Sequence, residues 1–475
     1  MRHAGSDSPS EITFGTDGWR AVIADSFTFS NVRRVSQAIA AAARNFTPPD
    51  GIDRNAMVVS FDRRFLSREF ALEVCEALRA AGYRVILSKE PTPSQTVSFT
   101  AWKRKLLGGI VVTASHNPAI YNGLKFKAWY GGSGLPQMYR QIAENLDGEV
   151  PRREGGSIEQ DDLLDDYVQA LRENVNVSLL HEAHIAILHD PLYGVSSGLP
   201  RRVLEDTADA LITTIRGEAN PGFGGVNPEP IPQNLDATVE MMRSGRYALA
   251  ICNDGDADRL GILDESGAFV SPHKVIALLA LYLVRHKKES GEIVKTFSTS
   301  RLVENVARGL GVTFHETAIG FKYVADLMLT RRILIGGEES GGVGFGSFLP
   351  ERDGVLSGLL VAECVAAYGK PLSEIVTEME NEFGRFFYDR RDVQSSRTAI
   401  DNLVERASRG DLDGLFGMPV MNREEKDGVK LNFKDGSWLL FRRSGTEPII
   451  RIYCESPNEE LVGSMLDVAV RELGN

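Results

Sequence analysis

LLGGIVVTASHNP, residues 106–118, passes directly from seven uncharged residues into a loop of small and polar ones that Pro118 closes. A short apolar run ended by turn-forming residues is the pattern of a strand buried on both faces. Three further stretches repeat it: YALAICNDGDADR at 247–259, RILIGGEESGG at 332–342 and WLLFRRSGTEP at 438–448. Each puts a loop of small and polar residues at the carboxyl end of a strand, where folds that alternate strands with helices bind their ligands. Four such loops, one from each of four domains, would make a four-sided site.

The segments around these stretches alternate in the same way. Strand, helix and strand are predicted over 57–61, 68–81 and 84–87, and again over 185–188, 199–204 and 211–215. A third round has helix 274–285, strand 292–297, helix 300–310 and strand 332–335. This predicts α/β architecture with mixed, largely parallel sheets. The end of the chain differs. Strands 429–433, 437–441 and 449–454 stand at hairpin spacing around Lys434-Asp435-Gly436, and helix 458–473 follows. Polar or Gly-containing breaks near 148–156, 264–272 and 367–373 divide the chain into α/β domains over 1–152, 153–266 and 267–370, with an α+β domain over 371–475.

With 475 residues, 43% of them hydrophobic and 25% charged, the composition is that of a soluble globular protein. A net charge of −12 gives no bulk attraction to nucleic acid or an anionic membrane, so any anion must be held by locally gathered cations and backbone N–H groups. Cys75, Cys252, Cys364 and Cys454 form no CxxC pair, which fits a reduced, cytoplasmic setting. No apolar leader is expected over 1–11, and no run is long enough for a membrane span.

Asp254, Asp256 and Asp258 carry the strongest chemical signal. Three carboxylates within five residues suit Mg²⁺, a hard cation with oxygen ligands; the plain alternative is a solvated acidic turn. An EF-hand is excluded because Arg259 stands where that loop needs Gly, and because 260–263 reads as a strand. Ser115, beside His116 and Asn117, reads either as part of a simple turn or as a nucleophile or phosphate carrier. An adjacent histidine is not expected to fold back as its base. Arg442, Ser444, Gly445 and Thr446 have the composition of a phosphate clamp, with Arg451 on the next strand; the plain alternative is an ordinary hairpin loop. His181, His184 and His189 lack metalloprotease spacing and are expected to be non-catalytic.

Taken together, these loops resemble the α-D-phosphohexomutase family. Phe14-Gly15-Thr16-Asp17-Gly18-Trp19-Arg20 is similar to its N-terminal motif, and Asp62 with Arg64 to the next. Thr113–Pro118 with Asn122-Gly123 and Lys125 resembles the phosphoserine loop, Asp254–Arg259 the metal loop, Gly337–Gly341 the sugar loop and Arg442–Pro448 the phosphate loop. The resemblance implies three similar α/β domains and a C-terminal α+β domain around a central cleft. It also implies a phosphotransferring isomerase that uses a phosphoserine at Ser115, one Mg²⁺ and a hexose 1,6-bisphosphate primer. Ser115 and the three aspartates are then the metal ligands. Arg20, His116 and Lys125 are catalytic candidates, with Lys125 ranked first for the proton of the attacking hydroxyl. Arg259 and Lys322 contact substrate, Glu338 and Ser340 the sugar hydroxyls, and Arg442, Ser444, Gly445, Thr446 and Arg451 the phosphate not being transferred. Partners are small sugar phosphates; no oligomeric state is assigned. Many mannose- and glucosamine-type relatives carry histidine where this chain has Gly342, and Gly320-Phe321-Lys322 looks glucose-type. A glucose enzyme is therefore expected. Phosphomannomutase and phosphoglucosamine mutase are the alternatives, with an inactive phosphosugar-binding protein as the rival of another class.

Overall fold

The computed structural model describes residues 12–15, 17–148, 153–207, 211–444 and 448–474. The stretch read for a leader, the centre of the 148–156 linker, and Thr16, Gly445 and Thr446 lie outside the described residues. The chain forms two compact units. The first takes residues up to Val270 with Ala325–Thr330 and Gly341–Ser373; the second takes Ser271–Val324, Arg331–Ser340 and the chain from Glu374 on.

The first unit holds two sheets. In the larger, Asp53–Phe61 lies between Arg84–Ser88 and Leu106–Val112, parallel to both. Tyr121–Ala128 then adds antiparallel to Leu106–Val112, and Trp19–Val22 antiparallel to Tyr121–Ala128. The central strands are apolar in sequence because helices cover both faces. Phe29–Ala43, Ser67–Ala80 and Pro136–Glu144 enclose a large core on one side. Ser94–Lys103 closes the other, with Val97 and Ala101 in a second cluster. That helix lies close because Gly109 has no side chain: a Cβ there would fall 2.5 Å from Val97 Cγ1. The smaller sheet runs Phe269–Val270, Leu260–Asp264, Leu249–Asn253, Ile187–Asp190, Ile212–Thr214, parallel over its last three strands. Helix Gly354–Tyr368 is apolar nearly all round and buried on this sheet, where a Cβ on Gly358 would reach Ile251 Cγ2 at 2.5 Å.

In the second unit, Phe314–Thr317, Glu292–Thr296 and Ile333–Gly337 pair in parallel. A separate antiparallel sheet runs Phe387–Gln394, Ile449–Ser456, Trp438–Arg443, Val429–Phe433, Val420–Glu424. Helices Arg397–Arg409 and Glu459–Arg471 fill one face of it, and Ser396 and Asn458 cap their first turns. Trp438, Leu440 and Tyr453 on the other face pack with Phe297.

Two segments lie on the far side of a sequence-expected break. Ser157–Asp161 pairs parallel with Arg84–Ser88, so the first sheet runs past residue 152. As an edge strand facing water it carries the polar sequence SIEQD, which gives no apolar signal. Helix Leu372–Phe383 packs on the third group of elements: Lys274 pairs with Glu380 at 2.7 Å, and Asn305 Nδ2 donates to Phe383 O at 2.8 Å. Among the described residues no single helix is long and apolar enough to cross a membrane.

The packing over Gly109 gives a direct test. Gly109→Val should lower the thermal midpoint, at a cost of roughly 1–3 kcal/mol or more, because Val97 and the Val58 carbonyl cannot both retreat. Calorimetry of the two proteins measures it; an unchanged midpoint would mean the helix is not held on this strand.

Candidate active site

The Ser115 loop is built on a buried ion pair. Strand Asp53–Phe61 delivers Asp62 beneath the loop, where it accepts from Thr113 Oγ1 at 2.7 Å and Ser67 Oγ at 2.6 Å and pairs with Arg64 Nε at 3.1 Å. Arg64 then donates to the carbonyls of Ser115, Asn117, Pro118 and Tyr121 at 2.6, 2.7, 2.9 and 3.1 Å. Four carbonyls gathered on one guanidinium hold the loop in a turn that places Ser115 at φ 53°, a conformation rare outside glycine. That backbone turns the side chain so that Ser115 Oγ lies 3.4 Å from His116 Nδ1 and donates to Asp254 Oδ2 at 2.6 Å. The approach of histidine and serine departs from the expectation for neighbours in sequence, and the left-handed residue is its cause. Burial, with the cations Arg259, Arg20, Lys125 and Arg64 around it, keeps the His116 imidazole well below its ordinary pKa and hence neutral.

Asp254, Asp256 and Asp258 converge as read from sequence, with ligand oxygens within 4.8 Å of one another, all three buried. Gly255 is required between them, because a Cβ there would stand 2.5 Å from the Ser115 carbonyl. Burial and the two neighbouring carboxylates raise Asp254 well above the carboxylate range. Asp256 goes the other way: burial works to raise it, but Lys125, Ser94 and Arg20 together hold it low. Lys125 Nζ lies 2.7 Å from Asp256 Oδ2, 3.0 Å from Asp258 Oδ2 and 3.2 Å from Asp17 Oδ2. Burial favours its neutral form, yet these charges keep it above its ordinary value. Asp256 Oδ1 and Asp258 Oδ1 are buried without a donor. Three converging carboxylates with orphaned oxygens fit a hard divalent cation.

Arg20 faces the same cluster and donates to Asn117 Oδ1 at 2.7 Å. It shares a sheet face with Lys125, since Arg20 pairs with Gly123 and every second residue of Tyr121–Ala128 points the same way. Arg259 donates its N–H to Asp254 Oδ1 at 3.0 Å and pairs with Glu229 at 3.0 Å. Further residues that face the cluster escaped the sequence reading. Arg352 donates to Asp17 Oδ2 at 2.9 Å and Asp258 Oδ2 at 2.7 Å. Ser94, at the start of a helix, donates to Asp256 through its hydroxyl and its N–H. For Asp17 a signal existed, in the quoted N-terminal motif; for Arg352 and Ser94 no local pattern marks a role.

The remaining candidates lie in the second unit. Glu338 ends strand Ile333–Gly337 and is buried, and Ser340 is half-buried in the following turn. Arg442 and Arg451 stand directly opposite each other on antiparallel strands. Asp427 takes Arg442 Nε at 3.1 Å, and Asp392 lies 3.6 Å from Arg451 Nε. Half-buried Lys322 has its pKa lowered by burial, with Asp427 opposing and Arg442 adding to the shift. Ser444 donates its N–H to Ile449 O at 2.9 Å. His189 is buried against Asn253 and Ser196, and burial pushes it down to about 4. His181 Nε2 donates to Leu204 O at 2.6 Å, and His184 Nδ1 to Glu182 O at 3.0 Å.

Family models described as phosphoglucomutase/phosphomannomutase match residues 11–152 as alpha/beta/alpha domain I, 165–267 as domain II, 271–383 as domain III and 396–472 as the C-terminal domain. The chain belongs to the phosphoglucomutase/phosphomannomutase family. It is 30% identical to a phosphoglucomutase/phosphomannomutase of Thermococcus kodakarensis, over 97% of this chain and 98% of that one. It is 32% identical to a probable phosphoglucosamine mutase of Methanothermobacter thermautotrophicus, over 94% of each. The crystal structure of a putative phosphomannomutase from Thermus thermophilus aligns with a TM-score of 0.85 at 34% identity, covering 98% of this chain and 99% of that one. The fold is accordingly that of the phosphohexomutases, three alpha/beta/alpha domains and a C-terminal domain, and the chain is a phosphotransferring isomerase.

Two variants probe this geometry. Arg64→Met leaves Asp62 buried without its cation and should destabilise the protein by roughly 3–5 kcal/mol, read by denaturant unfolding. Stability within 1 kcal/mol of the parent, roughly the spread of surface substitutions, would remove the scaffold role. Asp256→Asn should weaken Mg²⁺ binding in a calorimetric titration of otherwise folded protein, because a ligand charge is lost; undiminished affinity would discount the cluster as a metal site.

Proposed function

We propose that this phosphohexomutase interconverts hexose 1-phosphate and hexose 6-phosphate, with glucose as the preferred sugar, through phosphorylated Ser115 and a hexose 1,6-bisphosphate. The observation that carries the reading is Ser115 Oγ, held 2.6 Å from Asp254 at the edge of a buried three-carboxylate cluster. A serine so placed is suited to carry a phosphoryl group.

The phosphoryl group leaves Ser115: its phosphorus–oxygen bond to Oγ breaks as one forms to the free hydroxyl oxygen of the sugar phosphate. The hydroxyl proton passes to a base of the site, and the departing Ser115 Oγ takes up a proton to become a hydroxyl again; both proton movements reverse in the second transfer. The bisphosphate turns over, and its other phosphoryl group returns to Ser115 Oγ, regenerating the phosphoserine. A hexose 1,6-bisphosphate charges Ser115 at the start. Asp254, Asp256, Asp258 and Ser115 would hold Mg²⁺, which neutralises charge moving between donor and acceptor oxygens. Lys125 Nζ faces the aspartate cluster and His116 Nδ1 lies 3.4 Å from Oγ; Lys125 is the first candidate for the hydroxyl proton and His116 the second, with Arg20 stabilising transferred charge. Arg259 and Lys322 contact the substrate. Glu338 and Ser340 hold sugar hydroxyls in both orientations, and Arg442, Ser444, Gly445, Thr446 and Arg451 hold the distant phosphate. Like-charged Arg442 and Arg451 opposed on one face are the arrangement that a phosphate relieves.

Gly342, in the place of a histidine, supports glucose, while the relative named as a probable phosphoglucosamine mutase supports a second reading. Rates with glucose, mannose and glucosamine 1-phosphates, each with Mg²⁺ and its bisphosphate, separate the two; a preference for glucosamine would overturn the first. Ser115→Ala should abolish turnover, and near-normal mutase rate in that variant would sink the phosphoserine route. Glu338→Ala should lower kcat/KM in both directions by about tenfold or more, as expected for a lost charged hydrogen bond. A loss in one direction alone would show that the two orientations do not share it.

A further inference from the structure

Lys426 and Asp427 precede strand Val429–Phe433 and reach across to the loop that follows strand Phe314–Thr317. Lys426 Nζ donates to Glu316 O at 3.0 Å and to Glu316 Oε1 at 3.1 Å. Three residues on, the Ile319 N–H donates to Asp427 Oδ2 at 3.0 Å. Glu316 is fixed further by Lys295 at 3.0 Å and Lys430 at 3.5 Å. The loop leading to Gly320-Phe321-Lys322 is therefore pinned at both ends by two consecutive residues. The other oxygen of Asp427 accepts from Arg442 Nε at 3.1 Å. The next residue, Gly428, has φ 96°, and a Cβ there would stand 2.3 Å from Phe441 O. Its missing side chain lets the Lys426–Asp427 turn lie directly against the backbone that carries Arg442.

We propose that Asp427 is a positioning residue for phosphosugar binding: one carboxylate orients the Arg442 guanidinium through Nε and fixes the Lys322 loop through the Ile319 N–H, so that both are presented at a set spacing. Both Asp427 oxygens are engaged by the protein, so it acts through these groups and does not touch substrate. A guanidinium held at Nε keeps its two Nη groups for the paired contact that a phosphate accepts. Lys322, whose charge is felt together with those of Asp427 and Arg442, lies on the same pinned segment. The inference rests on the reading of Arg442 as a phosphate holder.

The test is calorimetric binding of glucose 6-phosphate, with Mg²⁺, to the full chain carrying Ser115→Ala, so that nothing turns over. Asp427→Asn in that background should weaken binding about tenfold, since an amide oxygen cannot serve the cation and the N–H equally. Arg442→Lys keeps the charge but gives up the Nε donor and should cost about as much. The two together should bind no more weakly than the weaker single variant, because each breaks the same link. Restoring the carboxylate as Asp427→Glu should recover part of the affinity, which a merely structural role would not predict. Parent-like affinity for Asp427→Asn beside a weakened Arg442→Lys, or losses that simply add, would overturn the positioning role and leave the phosphate assignment standing. Parent-like affinity for both Arg442→Lys and Arg442→Ala would instead overturn the phosphate assignment. Arg442→Lys asks the same question with Asp427 in place, so a folding defect in the Asp427 variant does not decide the matter.

Discussion

Three carboxylates buried within 4.8 Å of one another repel each other by about 3 kcal/mol per pair at an effective interior dielectric near 20. Cations must answer that repulsion, and the first unit is arranged to supply them. Lys125 and Arg20 come from adjoining antiparallel strands, and Arg352 from the segment before a buried helix. Arg259 comes from the aspartate loop itself. Asp17 joins the carboxylates and is held well below its ordinary pKa: burial opposes this, and Lys127, Lys125, Arg352 and Arg20 prevail. Cations thus meet this carboxylate cluster from several elements of the first unit.

The same constraint explains the precision of the Ser115 loop. A hydroxyl that must meet this cluster cannot ride on a freely moving turn. Arg64 removes the freedom by taking four carbonyls at once, and Asp62 prevents the arginine from being a second uncompensated charge. The outcome is a non-glycine residue in the left-handed region, a cost of order 1–3 kcal/mol that only a surrounding scaffold sustains.

How far all this was legible in sequence depends on whether the parts are contiguous. The aspartate loop, the serine loop and their apolar strands are local patterns, and the strands Leu106–Val112 and Val429–Phe433 stand where the sequence puts them. Ser94 and Arg352 were invisible because their roles arise from residues more than ninety positions away: Asp256 for one, Asp17 and Asp258 for the other. Lys125 was visible as a residue, but only the fold shows the three carboxylates around it. The polar edge strand Ser157–Asp161 fails for a different reason, since a strand paired on one side and wet on the other needs little apolar sequence.

The two units treat charge in opposite ways, and this bears on how an acidic chain holds an anion. In the first, guanidiniums and lysines are spent on the protein's own carboxylates, which fixes geometry but leaves little unanswered positive charge. In the second, Arg442 and Arg451 oppose each other across a strand pair; Arg442 donates to Asp427 through Nε, and Arg451 Nε lies 3.6 Å from Asp392. A guanidinium tethered at Nε is oriented without being consumed. Burial works against the charge on Arg442, and the Asp427 hydrogen bond and charge more than restore it, so the arginine stays cationic in a partly desolvated place. An anion in such a place would be attracted more strongly than by an arginine in open water. A net charge of −12 therefore need not repel a sugar phosphate, because the deciding field is that of a few oriented donors at short range.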